Sequence, residues 1–264
     1  MNILARFTPT FRQVLTLMSG TMVAQLVSFA FAPILTRVYS PSEFGTLGAY
    51  VAIVAIFSVV ASLKYDAAIL LPRDDSTARD LVRMSGAIAL ALSAVLAFAI
   101  LLFHDLFDRI FDKASLGNLF YLAVVSIVAV AFFNIYCAAL NRFAAYRGIA
   151  FSKISQTTGI SAGQLAFGFL GFGVSGLILG RLLGEVLSTI VARIFLASEP
   201  RFVRGFRSRL TSYPKLAREY ADFPKVTALH TFTNTVTGNL PVLLLSSYFA
   251  SATEIGRASC RERV

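Results

Sequence analysis

The chain has 264 residues, of which 56% are hydrophobic and 14% charged, with a formal net charge of +10. A soluble domain carries about 25% charged residues, so a mean hydropathy of +0.72 excludes an ordinary water-soluble domain. The basic residues flank apolar stretches and form no single patch, which argues against a nucleic-acid partner, because counterion release needs a clustered basic face.

A helix needs about 20 apolar residues to cross the hydrocarbon core. The first candidate, Val14–Leu35, follows Arg6 and Arg12 in the manner of a signal peptide. It is longer than the roughly 7–15 apolar residues of an h-region, so it is expected to stay as a span. Phe44–Leu71, Met84–Phe103, Leu119–Leu140, Ile154–Phe172 and Gly176–Phe195 follow, and Val226–Ala250 makes a seventh. Pro33 and Pro241 fall inside spans, where neighbouring helices can satisfy the freed carbonyls. Glycine is frequent over Gly159–Gly184, which favours close helix approach. GFGVSG at Gly171–Gly176 suits a tight turn.

Placing the N-terminus inside sorts the charges. Seventeen of the 24 Lys and Arg residues fall on the inner side, and only Arg37, Arg109 and Lys113 fall outside. That is the positive-inside pattern of a multi-pass protein of a cytoplasmic membrane. The outer loop His104–Lys113 is acidic, with Asp105, Asp108 and Asp112. The basic stretch Ser198–Lys225 places Phe202, Phe206 and Leu210 at helical spacing. It reads either as an interfacial amphipathic helix near anionic lipid or as a plain linker. Glu254–Val264, EIGRASCRERV, breaks from the apolar text and looks like a translated sequencing adapter. The expectation is an artefact at the end of a truncated fragment, with Arg257, Cys260, Arg261 and Arg263 carrying no functional weight.

Ionisable groups inside a span cost at least about 2.5–3.5 kcal/mol, so they should face a cavity or a partner. Arg181 and Glu185, four apart on one face of the sixth span, either line a hydrated path or form a self-neutralising pair. In a continuous second span of ~42 Å, Lys64 and Asp66 would lie about two turns from the inner end. Being two apart, they would point to different faces and could not pair locally. Otherwise the helix ends early and they snorkel. Arg37 closes the first span as a phosphate contact, an outer gate or an interfacial anchor. From charge and depth, Arg37, Lys64 and Arg181 are the substrate or gate cations, and Asp66 and Glu185 their partners or coupling-ion sites. Gln25, Asn134, Gln164, Asn234 and Asn239 read as interhelical glue.

No catalytic constellation emerges. His104 and His230 cannot form a zinc site with the scattered carboxylates, so no metal site is expected, and His230 reads as packed or hydrogen-bonded. Cys137 reads as an inert buried thiol. No phosphate-binding Gly-rich loop points to ATP. Asp74–Asp75 looks like a solvated helix start capped by Asp75 or Ser76.

PILTRVYSPSEFGTLGAY, KYDAAILLPRDD, ALNRFAAYRGIAFSKISQ and YADFPKVTALHTFTNTVTGNLPVLLLSSYF, in this order and spacing, resemble the bacterial polysaccharide-exporter family. Its best-known members are the Wzx-type O-antigen and capsule repeat-unit flippases of the multidrug/oligosaccharidyl-lipid/polysaccharide exporter superfamily. The resemblance runs from about Thr16 to Ala252. It implies an all-α membrane protein of two six-helix lobes in a V around a central cavity. Residues 1–195 would be the N-terminal six-helix lobe, 196–225 a basic cytoplasmic linker, 226–253 the truncated first helix of the C-terminal lobe and 254–264 the artefact. It also implies a secondary transporter, not an enzyme, that moves an undecaprenyl-pyrophosphate-linked oligosaccharide across the cytoplasmic membrane by alternating access. The implied partners are that lipid-linked oligosaccharide, membrane lipids and other polysaccharide-assembly proteins; no cofactor is expected beyond coupling to H+ or Na+. The alternatives are a multidrug exporter, whose cavity should be acidic, a glycan polymerase or ligase, which should show a large outer loop, and a non-transporting membrane scaffold.

Overall fold

The structure is a computed structural model that describes residues 3–102, 120–203 and 213–261, with side chains for 15–100, 102, 121–203 and 213–244. Every regular element among these residues is helical. The long helices are α1 (Ile3–Val38), α2 (Pro41–Ser62), α4 (Asp75–Leu102), α5 (Phe120–Arg142), α6 (Tyr146–Phe169), α7 (Gly173–Ala197) and α10 (Ala228–Arg261). Short helices α3 (Tyr65–Ala68), α8 (Pro200–Val203) and α9 (Tyr213–Glu219) lie between them, and a π-helical turn, Phe223–Thr227, leads into α10.

Five of the described helices are long and apolar enough to cross a membrane: α1 from Leu15, α2, α4 to Ile100, α5 from Tyr121, and α7. This is an all-α, multi-pass membrane protein. The expected spans at Ile154–Phe172 and Val226–Ala250 fall in α6 and α10, which are not among the five. Polar residues dilute α6, from Lys153 and Gln156 to Gln164, but the helix packs along both α1 and α7, which shelters that surface. Large apolar side chains on α1 point away from the protein, Phe29 being 82% exposed and Leu26 66%. On a bundle immersed in lipid such exposure is the ordinary condition.

The α1–α2 junction is built from its sequence. Ser40 caps α2, its Oγ accepting from the Glu43 amide at 3.4 Å while Glu43 Oε2 accepts from the Ser40 amide at 2.7 Å. Pro41 takes the first helical position, where no amide is needed. At the other end the candidate span Phe44–Leu71 is not continuous, and of the two readings the early helix end holds. Helix α2 stops at Ser62, and Leu63 and Lys64 both adopt left-handed φ, 44° and 56°. The physical reason is length: ~42 Å of helix exceeds a hydrocarbon core of ~30 Å. The break turns the surplus into α3, where Tyr65 Oη donates to the Ala217 carbonyl of α9 at 3.1 Å.

Helices α6 and α7 form the tightest pair. The turn between them uses Gly171 (φ +77°) and Gly173 (φ +53°), as the GFGVSG motif predicts. Gly159 and Gly163 of α6 face Gly184 and Gly180 of α7, so close that a Cβ on Gly163 would stand 2.9 Å from the Gly180 Cα. Small residues four apart on both helices let the backbones meet. Gln164 then acts as the expected glue, Nε2 donating to the Leu177 carbonyl at 3.1 Å, while Tyr39 Oη donates to the Gln164 carbonyl at 2.7 Å. Of the other predicted glue residues, Asn239 bonds within its own helix, to the Thr235 carbonyl at 2.8 Å, Gln25 and Asn234 are exposed, and Asn134 is half-buried.

At the opposite end of the bundle, Arg142 Nη2 donates to the Pro72 and Arg73 carbonyls at 2.8 and 3.1 Å and faces Asp75 at 3.3 Å. Helix α4 begins at Asp75, with the Asp74 carbonyl accepting from Ala78 at 3.2 Å, so Asp74 holds the cap position instead of Asp75 or Ser76. The basic stretch packs back on this end. Arg79 Nη1 donates to the Arg201 carbonyl at 2.6 Å, Phe202 meets Phe143 edge-on at 6.1 Å, and Leu216 is buried. Phe206 and Leu210 lie outside the described residues, as does the loop His104–Lys113 with Arg109, Lys113 and its three aspartates. His230 is exposed, not packed, and Cys137 is half-buried. Helix α10 lies along α2.

Candidate functional site: a buried ion pair between three helices

Glu185 is the central residue of the 25-residue helix α7. It lies ~18 Å from the first residue and Arg181 ~12 Å, at 1.5 Å per residue. The two side chains meet, Arg181 Nε standing 2.9 Å from Glu185 Oε1. Glu185 keeps 1% of its side chain accessible and Arg181 26%. The two residues are thus in contact as an i, i+4 ion pair.

The pair does not stand alone. Helices α2, α5 and α7 all start from the Tyr39 end of the bundle and pack on one another, which brings side chains of similar depth together. Tyr50, fully buried on α2, shares a 2.8 Å hydrogen bond with Ser126 of α5. Ser126 also stands beside the Glu185 carboxylate. One turn on, Thr189 Oγ1 donates to the Ala129 carbonyl of α5 at 2.9 Å, pinning α7 to α5. Among the described residues, neither Glu185 oxygen has an aligned hydrogen bond, so acceptor capacity is left over.

The predicted site residues separate into three levels. Arg37 is exposed in the last turn of α1, where a cation complements the helix dipole. Lys64 follows α2 at the opposite end, and the 22 residues of α2 put ~33 Å between these levels. Arg181 lies between them. Lys64 Nζ stands 3.5 Å from Asp66 Oδ2, which corrects the expectation that the two cannot pair. That expectation assumed an unbroken helix, and the left-handed break at Leu63–Lys64 folds the residues toward each other. Asp66 is buried, and its Oδ1 has no hydrogen-bond partner among the described residues.

Glu185 faces the packed interior, with Arg181 a quarter exposed beside it. The opposite face of α7 carries an open groove of about 470 Å³, lined by Leu179, Leu183, Val186, Leu187 and Ile190 with Phe167 of α6. Its lining holds no charge, so it is no anion cavity. Tyr50 and Ser126 were not foreseen, because a search by formal charge passes over hydroxyls. The available signal was a tyrosine deep in a span, since membrane tyrosines otherwise collect at the interfaces and a buried phenol needs a partner.

A family model for polysaccharide biosynthesis proteins matches residues 34–257. The chain belongs to this family. Comparison with curated proteins and with solved structures gave no match. The matched range of the polysaccharide biosynthesis family takes in Arg37, Lys64, Asp66 and the whole Tyr50–Ser126–Arg181–Glu185 cluster.

Proposed function

We propose that this chain performs the membrane step of polysaccharide assembly as a Wzx-type flippase: a secondary transporter, not an enzyme. It moves undecaprenyl-pyrophosphate-linked oligosaccharide from the inner to the outer leaflet of the bacterial cytoplasmic membrane, with its N-terminus inside. The single observation that carries the reading is the charge pair held at the midpoint of a span, in a protein of a polysaccharide biosynthesis family. A structural span has no need of ions at that depth, where each is costly. A pyrophosphate head group does need a cation on its path, because it cannot enter hydrocarbon uncompensated.

The spacing of the cations supports handover. Lys64, beside Asp66 at the inner end, makes first contact with the head group, Arg181 compensates it at mid-depth, and Arg37 meets it at the outer end. The lipid tail stays among acyl chains while the sugars follow the head. The other partners in this reading are membrane lipids and neighbouring polysaccharide-assembly proteins, and movement is coupled to H+ or Na+.

The test replaces Lys64 and Arg181 by Met together in cells that depend on this gene. Surface glycan falls at least tenfold and lipid-linked repeat units accumulate in the inner leaflet. Normal display without accumulation removes the cationic path.

A further inference from the structure

Arg181 has one guanidinium and, on the reading just given, two claimants for it. In the observed state the claimant is Glu185, 2.9 Å away and almost wholly buried. An anionic oxygen of a substrate competes for the same donor. Arg181, a quarter exposed, is free to turn outward on its long stem, whereas Glu185 is confined at the centre of α7. Once Arg181 turns away, Glu185 remains as an unpaired charge in a packed interior, the least tolerable outcome for a carboxylate.

The neighbours do not replace the lost cation. From α2 the facing titratable group is Tyr50, whose hydroxyl is bonded to Ser126; from α5 it is Ser126, which does not titrate; on α7 it is Arg181 itself. The titratable groups of α6, namely Tyr146, Arg147 and Lys153, lie in its first two turns. Gly184 meets Ile160, so these groups sit ~10 Å or more along the axis. Both carboxylate oxygens have spare acceptor capacity, and one hydroxyl stands next to them to receive a hydrogen bond from a protonated acid.

We propose that Glu185 takes up one proton from the aqueous phase when a phosphate-class anion draws Arg181 away. The balance is simple. The observed pair is neutral; afterwards Arg181 neutralises one anionic oxygen, and Glu185 carries a new O–H bond. Counted with the one anionic oxygen that Arg181 pairs, the group is neutral before binding and neutral again once Glu185 has its proton. Because the two events share one guanidinium, each favours the other, and by linkage a lower pH must tighten anion binding. This assignment rests on the transport reading and adds its regulation: the pair couples uptake of one anion to uptake of one proton.

The experiment uses the purified chain and inorganic pyrophosphate as the probe. Proton uptake on binding is read with a pH-indicator dye in weak buffer, for wild type and for Glu185→Gln, which retains Arg181 and reports the proton change of pyrophosphate itself. Wild type should take up close to one proton more per pyrophosphate bound. Equal uptake in the two proteins overturns the proton–anion coupling and leaves the transport reading standing. Failure of wild type to bind pyrophosphate overturns both. Where Glu185→Gln does not accumulate, the infrared difference spectrum of wild type decides. A protonated-carboxyl carbonyl band rising with pyrophosphate supports the proposal, and its absence overturns it.

Discussion

Replacing Arg181 by Met removes the guanidinium while keeping an apolar stem of similar reach, and so isolates the charge. Glu185, with 1% of its side chain accessible, is then left without its 2.9 Å partner. Removing one member of a buried pair costs about 3–5 kcal/mol. The loss has a ceiling, because the carboxyl can escape by taking a proton. For a glutamate of ordinary pKa near 4.3 that costs about 3.7 kcal/mol at pH 7, at 1.36 kcal/mol per pH unit. A loss of about 3–4 kcal/mol is therefore expected. At about 2–4 °C per kcal/mol for a chain of this size, Tm falls by about 6–16 °C. Glu185→Gln should cost less, since Arg181 is a quarter exposed and can snorkel toward water. The double variant Arg181→Met/Glu185→Gln should recover most of the single Arg181→Met loss. Lowering the pH should shrink the Arg181→Met deficit, because a carboxyl that has taken a proton is no longer an unpaired charge. The chain has no tryptophan, so the assay is thermal loss of helical circular dichroism in detergent. Equal losses in the two single variants, or an Arg181→Met protein within about 1 kcal/mol of wild type, would refute the reasoning.

Two further outcomes follow from the packing. Gly163→Ala should lower stability by about 1–3 kcal/mol, because the new Cβ meets the Gly180 backbone at 2.9 Å and backbone cannot yield. Gly45→Ala, in the first turns of α2 with open space around it, should be neutral or stabilising by about 0.4–1 kcal/mol; the same unfolding curves check both. Tyr39→Phe removes the 2.7 Å bond to the Gln164 carbonyl and should cost about 0.5–1.5 kcal/mol. Burial, and then the Glu43 carboxylate, hold the Tyr39 phenol above its ordinary value of 10.0. The folded value is thus raised above the unfolded one, so its contribution is complete below about pH 10 and is lost as pH rises from there through the folded value. Across that window wild-type stability should fall toward that of Tyr39→Phe, measured by denaturant unfolding at each pH.

Much of the architecture was readable because a bilayer restricts the choices. Apolar runs of span length must be helices, since a single segment in lipid has no other way to satisfy its own backbone groups, and GFGVSG announces its own turn. The charges at Arg181 and Glu185 were visible as anomalies for the same reason. What was read wrongly or missed depends on neighbours. A continuous second span seemed to forbid the Lys64–Asp66 pair; two left-handed residues made it.

Composition and the order of apolar and basic residues, acting one at a time against the bilayer, determined that the chain is helical and crosses a membrane repeatedly. Which residues meet was decided only in three dimensions. Tyr50, Ser126 and Glu185 come from helices separated by dozens of residues and converge because α2, α5 and α7 pack side by side at matching depth. Hydropathy records the environment each residue prefers; it holds no information on the rotation of one helix against another, and that rotation makes the site.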